Sequence, residues 1–404
     1  SVAWSYERIA DYGLRLVRPA VQPARDLRGN EAGLSVLALC VTLFGLLSHM
    51  PAQVRSLLPA SFAGEGPFSR VRFLHGGDVQ WSALASDADP WVAWAATRCL
   101  ASQQEDEGDP GASLRTIETL LERLHGNDLA GIHLLELHLH RLQVLMSLGR
   151  YDQVVDACRR SRVLLDRILP SWGGFFRTTL QLGEVYSAVH LDSCPETAER
   201  LLEALESTEL TGTLRFIARS VRGELELIRG RVRAAALIQR VGLRYAGRWR
   251  SILGAGSQWE LCILGMCLVT DLELTPADAA ELDAAAIRTR ATELLRDILS
   301  DPSPLLRDIP TIMAFAAAVG LSVTAAARAG SEQREVGAEL VATALAVGTN
   351  QTFRLFSHDY LRSRTEQLDA RALSAAEDRI RALDGAQLLA HATGLARRLV
   401  SEAG

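Results

Sequence analysis

Two histidines and a glutamate in the stretch GIHLLELHLH have the spacing of a small binding site. His133, Glu136 and His140 stand at positions i, i+3 and i+7, which lie on one face of an α-helix. Imidazole and carboxylate groups bind zinc, but the order differs from H-E-x-x-H and no fourth ligand is indicated. Because leucines separate the three residues, we interpret them as polar groups that line the groove of a helical protein. No metal is expected.

A run of arginines forms the second group of candidates. Nine arginines and only two glutamates lie in Arg219–Arg250, although the whole chain carries a formal net charge of −5. Three of these arginines follow at intervals of four residues and form one stripe on a helix, with aromatic residues beside it. Such a stripe is a solvated face, a contact surface for an acidic protein domain, or a site for nucleotide or nucleic-acid phosphate. The residues concerned are Arg240, Arg244, Arg248, Tyr245 and Trp249.

The other residues that could carry chemistry predict no enzyme. The chain contains no lysine, so all 43 basic residues are arginines, and a Walker A loop and lysine-based catalysis are excluded within it. No G-x-S-x-G nucleophile elbow is present. The carboxylates of Glu224 and Glu226 are assigned to a solvated face. We therefore expect no catalytic residues and no cofactor.

The composition indicates a folded cytoplasmic protein. Apolar residues make up 48% of the 404 residues, enough for a large core or for a stack of small ones. The six cysteines include no C-x-x-C pair and stand mostly in apolar helical patterns, as reduced thiols do. The longest apolar run, 34–47, is shorter than the roughly 20 residues of a membrane span and predicts a buried helix. Because neither an initial methionine nor a signal peptide is present, we expect a fragment of a longer protein.

The clearest structural element is a helical hairpin over residues 141–168. Gly149 stands at its turn, where a left-handed conformation favours glycine, and both flanking helices have apolar residues at helical spacing. Tyr151 is expected to wedge between the helices, and Gln153 is expected to be exposed. The predicted interior positions of the second helix are Val154, Val155, Ala157, Cys158, Val163 and Leu164.

Similar turns recur at intervals of about 40 residues, at Gly108, Gly149, Ser193 and Gly230. This interval is longer than the 34 residues of tetratricopeptide (TPR) repeats and suits their relatives with longer helices. Alternating strand patterns are absent. The predicted fold is therefore all-α: a right-handed superhelical solenoid of antiparallel, TPR-like hairpins, preceded by a small helical connector.

The predicted connector covers residues 1–75, and the predicted repeat domain covers 76–404. The repeats are clearest over 89–250 and less regular over 251–404. In the less regular part, helices are predicted, some of them split, at 258–269, 276–299, 304–329, 331–347, 351–364 and 373–399.

The segment 86–121 resembles the first hairpin of the helical C-terminal region in AfsR-like actinobacterial regulators, which belong to the Streptomyces antibiotic regulatory protein (SARP) class. The resemblance continues through the repeats to about residue 250 and more weakly to the end. Residues 1–75, with the sequence LRGNE at 27–31, resemble the connector that follows the ATPase module of such proteins. The matching residues of the hairpin are Asp89, Pro90, Trp91, Val92, Gly108 and Asp109.

This resemblance implies the C-terminal sensor of a signal-transduction ATPase with numerous domains (STAND), acting in transcription. The implied partners are the ATPase and DNA-binding domains of the same protein, with a protein, peptide or small-molecule effector in the concave groove. Neither a membrane nor direct nucleic-acid binding by this region is expected. In this hypothesis the arginine stripe binds an acidic surface of the ATPase module, and its reversal to glutamate leaves stability unchanged. Maltose-regulator-like and other TPR sensors are further possibilities, and the alternative function is a stand-alone TPR-like scaffold or adaptor outside transcription.

Overall fold

The computed structural model describes residues 81–86, 90–124, 131–168, 174–191, 195–207, 212–253, 258–300 and 308–401. Over these ranges the chain is all-helical and contains no β-strand, as predicted. The connector over residues 1–75 and the turn at Ser193 lie outside the described residues.

The helices are numbered in chain order. The first nine are α1 (Trp81–Ala85), α2 (Pro90–Asp106), α3 (Pro110–Arg123), α4 (Gly131–Ser147), α5 (Tyr151–Ile168), α6 (Gly174–Leu191), α7 (Pro195–Glu206), α8 (Gly212–Ile228) and α9 (Val232–Leu253). They are followed by α10 (Gln258–Asp271), α11 (Pro276–Glu281), α12 (Ala284–Ser300), α13 (Ile309–Ala326), α14 (Glu332–Val347), a 3-10 helix (Arg354–Phe356), α15 (His358–Ile380) and α16 (Gly385–Ser401).

Two compact units make up the chain. The first comprises Ser1–Gln104 and Ala112–Leu137. In it, Arg123 donates to the carbonyl of Ala85 at 2.7 Å, and Thr116 donates to the side chain of Gln104 at 2.9 Å. The second unit comprises Glu105–Gly111 and His138–Gly404, and all the features described below belong to it unless stated otherwise.

Left-handed glycines form three of the predicted turns. Gly108, Gly149 and Gly230 have φ angles of +89°, +69° and +74°. At the second of these turns the amide of Arg150 donates to the carbonyl of Leu145 at 2.9 Å, which is the long bond of a Schellman motif. These three predicted turns are confirmed.

The helices that follow the Gly149 turn pack against their neighbours in sequence. Helix α6 contacts α5, α7 and α8, and α9 contacts α8 and α10. Gly183 of α6 lies where a Cβ atom would be 2.9 Å from Cys158 Sγ and 3.2 Å from Leu142 Cδ2. Because only glycine fits there, α6 approaches both helices of the preceding hairpin closely.

The buried face of α5 differs from the predicted one. Val154 is 0% exposed, but Val155 and Gln153 are both half-buried, and Val163 is 61% exposed. The buried positions continue at intervals of three and four residues, so the helical phase places Val155 at the edge and Val163 in solvent. Leu164 is also half-buried, so the interior assignments of Val155, Val163 and Leu164 were wrong, and so was the exposed assignment of Gln153. The buried residues of this face are Val154, Ala157, Cys158, Ser161 and Leu165.

The core of the carboxy-terminal part surrounds α13. This helix contacts α10, α12, α14 and α15. It is long and apolar enough to cross a membrane by length and composition, but 78% of it is buried inside the protein. Helices α13 and α14 cross at two glycines, Gly320 and Gly337, where a Cβ atom on either would meet the other's carbonyl at 2.6–2.7 Å. Glu339 of α14 also pairs with Arg379 of α15 at 2.7 Å and His391 of α16 at 2.8 Å.

Three predicted helices of this part have different bounds. The helix predicted over 276–299 is divided into α11 and α12 at Asp283, which has a φ of +52°. The one predicted over 373–399 is interrupted before α16, where Asp384 and Gln387 cap each other through reciprocal 2.9 Å hydrogen bonds. The one predicted over 351–364 begins only at His358, after Ser357 as the N-cap, because the preceding residues are bound elsewhere.

Candidate functional site

Residues Thr349–Ser357, which we call the strap, connect α14 to α15 and carry little regular structure beyond the 3-10 helix. The strap crosses several helices that are far from it in sequence. The amide of Asn350 donates to the carbonyl of Pro310 at 2.9 Å, and the amide of Gln351 donates to the carbonyl of Ser147 at 3.0 Å. Main-chain bonds thus attach the start of the strap to α13 and to the end of α4.

Two aromatic side chains hold the next part of the strap by its main chain. The Tyr151 hydroxyl lies 2.6 Å from the carbonyl oxygen of Gln351 and 2.9 Å from that of Thr352. His190 Nε2 lies 3.3 Å from the Thr352 oxygen, and its ring stacks on that of Tyr151 with centroids 3.7 Å apart. Carbonyl oxygens only accept, so both side chains donate. Burial lowers the pKa of His190 to about 3, so the ring is neutral at physiological pH.

The carboxyl group of Glu224 holds the strap at the 3-10 helix. Its Oε1 accepts a hydrogen bond from the amide of Leu355 at 3.0 Å, while its Oε2 is buried without a hydrogen-bond partner. Glu224 is 1% exposed and Glu226 is 8% exposed, so the assignment of both to a solvated face was wrong. Burial raises its pKa to about 8 against the opposing effect of the Leu355 and Arg354 amides and the Arg354 charge.

Apolar side chains of the strap fill the space between these polar contacts. Phe353, Leu355 and Phe356 are all buried. The Phe353 ring packs edge-on against that of Tyr186, with centroids 5.6 Å apart. The Phe356 ring lies against Gly265 of α10, where a Cβ atom would be only 2.9 Å from Phe356 Cζ. Glycine at this position therefore creates the space that the second phenylalanine occupies.

Five residues on four helices form the surface beneath the strap, which we call the inner site. Tyr151 lies on α5, Tyr186 and His190 on α6, Glu224 on α8 and Gly265 on α10. The surface offers two hydrogen-bond donors for carbonyl groups, one acceptor for an amide, and aromatic and glycine-lined space for two rings. These groups contact the main chain and the apolar side chains of the strap, which forms a turn and a 3-10 helix.

The chain matches no protein-family model, no curated protein and no solved structure. The resemblance of the sequence around α2 to AfsR-like regulators therefore stays a prediction. The geometry of the inner site is the basis on which a function can be proposed.

The predicted groove-lining residues have diverse surroundings. His140 is buried, and its Nε2 lies 2.6 Å from Glu105 Oε1. Within the first unit, Glu136 is half-buried, and its carbonyl oxygen accepts from Arg98 at 3.5 Å. The side chain of His133 lies outside the described residues. In the described part of the chain, no group of three or more His, Cys, Asp or Glu side chains could hold a metal ion.

The arginine stripe is partly engaged within the protein. Arg240 forms an ion pair with Asp271 of α10 at 2.9 Å and donates to the carbonyl of Leu282 at 3.0 Å. Arg244 is exposed. The side chains of Tyr245, Arg248 and Trp249 are outside the described residues. Other arginines of this stretch also have acidic partners: Arg222 pairs with Glu199 and Glu206, Arg229 with Glu199, Arg231 with Glu226, and Arg233 with Asp278 and Glu281.

Charge reversal should therefore change the stability of the fold to different extents at two members of the stripe, Arg240 and Arg244. Arg240→Glu places a carboxylate beside Asp271, whose side chain is only 8% exposed, and should destabilise the fold by about 2–4 kcal/mol. Arg244→Glu, one turn further along α9, should change the stability by less than about 0.5 kcal/mol. Urea unfolding followed by circular dichroism measures both. Equal midpoints for the two variants would contradict a structural role for the Arg240 pair.

A pair of glycine substitutions tests whether the strap is docked. Gly149 and Gly230 are both left-handed, so alanine strains the backbone at each by roughly 1 kcal/mol. A Cβ atom at Gly149 would also lie 3.0 Å from Gln351 Oε1 of the strap, whereas one at Gly230 would meet nothing within 4 Å. Gly149→Ala should therefore lower the melting temperature more than Gly230→Ala. A larger loss at Gly230 would be incompatible with the strap position.

The Glu224 carboxyl group should make the stability depend on pH. It ionises near 4.5 when unfolded but near 8 when folded, so the stability that its burial allows is fully present below pH 4.5 and is lost as the pH rises to about 8. Tyr151, Tyr186, Tyr360 and Arg354 are the titratable and charged groups around it.

Glu224→Gln should remove this dependence. The variant should match the wild type near pH 4 and exceed its unfolding free energy at pH 8 by roughly 2–5 kcal/mol, as measured by denaturant titration at each pH. Glu226→Gln, on the same helix, removes a carboxylate that accepts from Arg231 and should give no such gain. A constant difference between Glu224→Gln and the wild type across the pH range would refute the burial of an ionisable group here.

Sequence reasoning missed the inner site because its members are dispersed along the chain. Tyr151 was noted only as a wedge between helices, and Glu224 was read as solvated. One local signal was present: FRLF at 353–356 brings two phenylalanines next to the helix-breaking polar run TNQT. Large apolar residues in a break between helices indicate a connection that is itself buried.

Proposed function

We propose that this chain is the regulatory, partner-sensing repeat region of a multidomain transcriptional regulator. The activities that it controls, ATP hydrolysis and DNA binding, belong to domains of the full-length protein that are absent from these residues. The resemblance to AfsR-like, SARP-class STAND regulators supports the transcriptional assignment. The inner site supports the sensing role.

The observation that carries this proposal is the way in which α5, α6, α8 and α10 bind the strap. They hold a segment that consists of a turn and a 3-10 helix by its main-chain carbonyls and one amide, and they enclose its aromatic side chains. Peptide-binding surfaces combine these two kinds of contact, since the main-chain bonds provide affinity and the side-chain pockets provide specificity. These contacts support the proposal that the same helices bind a partner.

The thiols of the described helices support a binding role over a catalytic one. Cys158, Cys262 and Cys267 are buried free thiols. Burial raises the pKa of Cys158 and of Cys267 to about 12 and raises that of Cys262 further. Since only the thiolate is a good nucleophile, these groups are core side chains. This agrees with the proposed cytoplasmic location, where thiols stay reduced.

The proposal includes a TPR-like architecture for α4–α9. In it, α4/α5, α6/α7 and α8/α9 are successive hairpins of a right-handed superhelix, with α4, α6 and α8 on the concave side. The Schellman turns at Gly149 and Gly230, the contact of α6 with α8 and the close approach at Gly183 support this arrangement.

The test begins with the reading frame that encodes this chain. If the proposal is correct, the frame continues upstream into a P-loop ATPase module and a DNA-binding domain. Without them, the stand-alone adaptor becomes the better reading. The ATPase module, expressed separately, should bind this chain more weakly as salt rises from roughly 50 to 200 mM, since exposed ion pairs are screened.

The contribution of the arginine stripe is tested in the same titration. Arg244→Glu with Arg248→Glu should reduce docking of the ATPase module, and Arg240 is retained because it is part of the fold. Arg328→Glu with Arg371→Glu, two exposed arginines elsewhere, makes the same change in net charge and serves as the control. Undiminished docking of the first variant would refute a role of the stripe, and equal losses would indicate a general charge effect.

A further inference from the structure

We propose that the inner site is a recognition site for peptides with the pattern Phe-x-Leu-Phe that adopt a turn followed by a short 3-10 helix, and that the strap is its tethered occupant, displaced by a partner segment of the same chemistry. This inference rests on the proposed function and deepens it, because it states the class of effector: a protein segment. The strap would then keep the site closed until the partner is present.

The polar contacts of the inner site do not depend on how the occupant is connected. Tyr151 and His190 donate to two successive carbonyl groups, and Glu224 accepts from an amide three residues further on. Every peptide carries these groups, so the contacts fix the direction and register of a bound segment without selecting its sequence.

The sequence preference comes from the apolar contacts. The first phenylalanine packs against the edge of the Tyr186 ring, and the second fills the space left by Gly265. Leu355 between them is buried as well, whereas Arg354 is only half-buried and tolerates other side chains. The site therefore selects the side chains at three of four consecutive positions, those of Phe353, Leu355 and Phe356.

The ends of the strap permit exchange. Gly348 precedes it with a φ of +110°, and no neighbouring atom lies within 4 Å of its Cβ position. Ser357 follows it as the N-cap of α15. At the start of the strap, the amides of Asn350 and Gln351 donate to carbonyls of other helices, and the Asn350 side chain donates to Thr311 Oγ1 at 3.1 Å. Further along, the long-range hydrogen bonds are made by Tyr151, His190 and Glu224 of the inner site.

The docked strap also leaves a polar group unsatisfied. Glu224 Oε2 is buried without a hydrogen-bond partner when the strap is in place. Undocking hydrates this oxygen, which offsets part of the apolar contact area that is lost. Because burial raises the pKa of Glu224 to about 8, the carboxyl group is protonated at neutral pH, and since Oε1 accepts from the Leu355 amide, the proton lies on Oε2. A partner segment with an additional acceptor at this position would bind more favourably than the strap itself.

The experiment uses the whole chain and a fluorescent peptide, TNQTFRLFS, which reproduces the strap. In Phe353→Ala/Phe356→Ala the anchors of the tethered occupant are absent, so this variant should bind the peptide at least tenfold more tightly than the wild type in an anisotropy titration. The same peptide with alanine at both phenylalanines is the matched control and should not bind. Tyr151→Phe, added to the double variant, should weaken binding several-fold because one donor is lost.

A second measurement does not require the variant to fold. In the wild type, millimolar peptide should accelerate hydrogen exchange of the Leu355 amide at least tenfold, since displacement frees it from Glu224. Unchanged exchange at this concentration would overturn the inference, as would equal binding of the alanine peptide. These outcomes are independent of docking to an ATPase module. If the strap is not displaced, this inference fails, and the proposed regulatory role is still tested by docking of the ATPase module. If the peptide binds but the full-length protein has no ATPase module, the regulatory role fails and the peptide site remains.

Discussion

Val154→Asp should destabilise the protein by about 3–5 kcal/mol, while Val163→Asp on the same helix should have almost no effect. Val154 is 0% exposed in the core of α5, where an aspartate would be buried without a counter-charge. Val163 is 61% exposed, so the same carboxylate there stays hydrated. The two variants have identical composition, and only the helical phase separates them.

Thermal and urea unfolding of the two aspartate variants measures this difference. Val154→Asp should unfold at a clearly lower midpoint, and Val163→Asp should remain within about 0.5 kcal/mol of the wild type. Val155→Asp, at a half-buried position, should be intermediate. If Val163→Asp were the more damaging change, the orientation of α5 in the structure would be wrong by nearly half a turn.

Gly337→Ala should be the most disruptive single-methyl change in the carboxy-terminal part. A Cβ atom there would lie 2.6 Å from Thr324 Oγ1, 2.7 Å from the carbonyl oxygen of Gly320 and 2.9 Å from the amide of Thr324. Two of these neighbours are backbone atoms and cannot rotate away, so α13 and α14 must separate. We expect a loss of about 3 kcal/mol, at the upper end of the cost of overpacking.

Gly394→Ala in α16 provides the opposite control. Gly394 is also helical, but a Cβ atom there would meet nothing within 4 Å. Alanine should therefore stabilise the protein by about 0.5–1 kcal/mol, because it restricts the unfolded chain and favours the helix. Calorimetric melting temperatures that fall for Gly337→Ala and rise for Gly394→Ala are the expected result. A fall of equal size for both would indicate that the helix crossing is not as close as the structure shows.

The sequence by itself determined the helical class and the turns. Amphipathic spacing gives an α-helix its buried side locally, and a left-handed turn favours a residue without a Cβ atom, so Gly108, Gly149 and Gly230 were identifiable without any tertiary contact. The helix predicted over 331–347 was likewise a local feature, and α14 spans Glu332–Val347 after Ser331 as its N-cap. Superhelical stacking stays a prediction, because it depends on angles between hairpins that no local pattern specifies.

Only the tertiary structure decided what the polar residues do. Glu224 looks like any solvated helix residue in the sequence, yet it is buried because the strap, more than 120 residues away, covers it. Arg240 looked like a free charge, yet Asp271 of the next helix neutralises it. The strap itself was predicted as the start of a helix, since its apolar residues suit one. Side chains of α5, α6 and α8 bind its main-chain groups instead, and these long-range bonds outweigh a marginal local helix propensity.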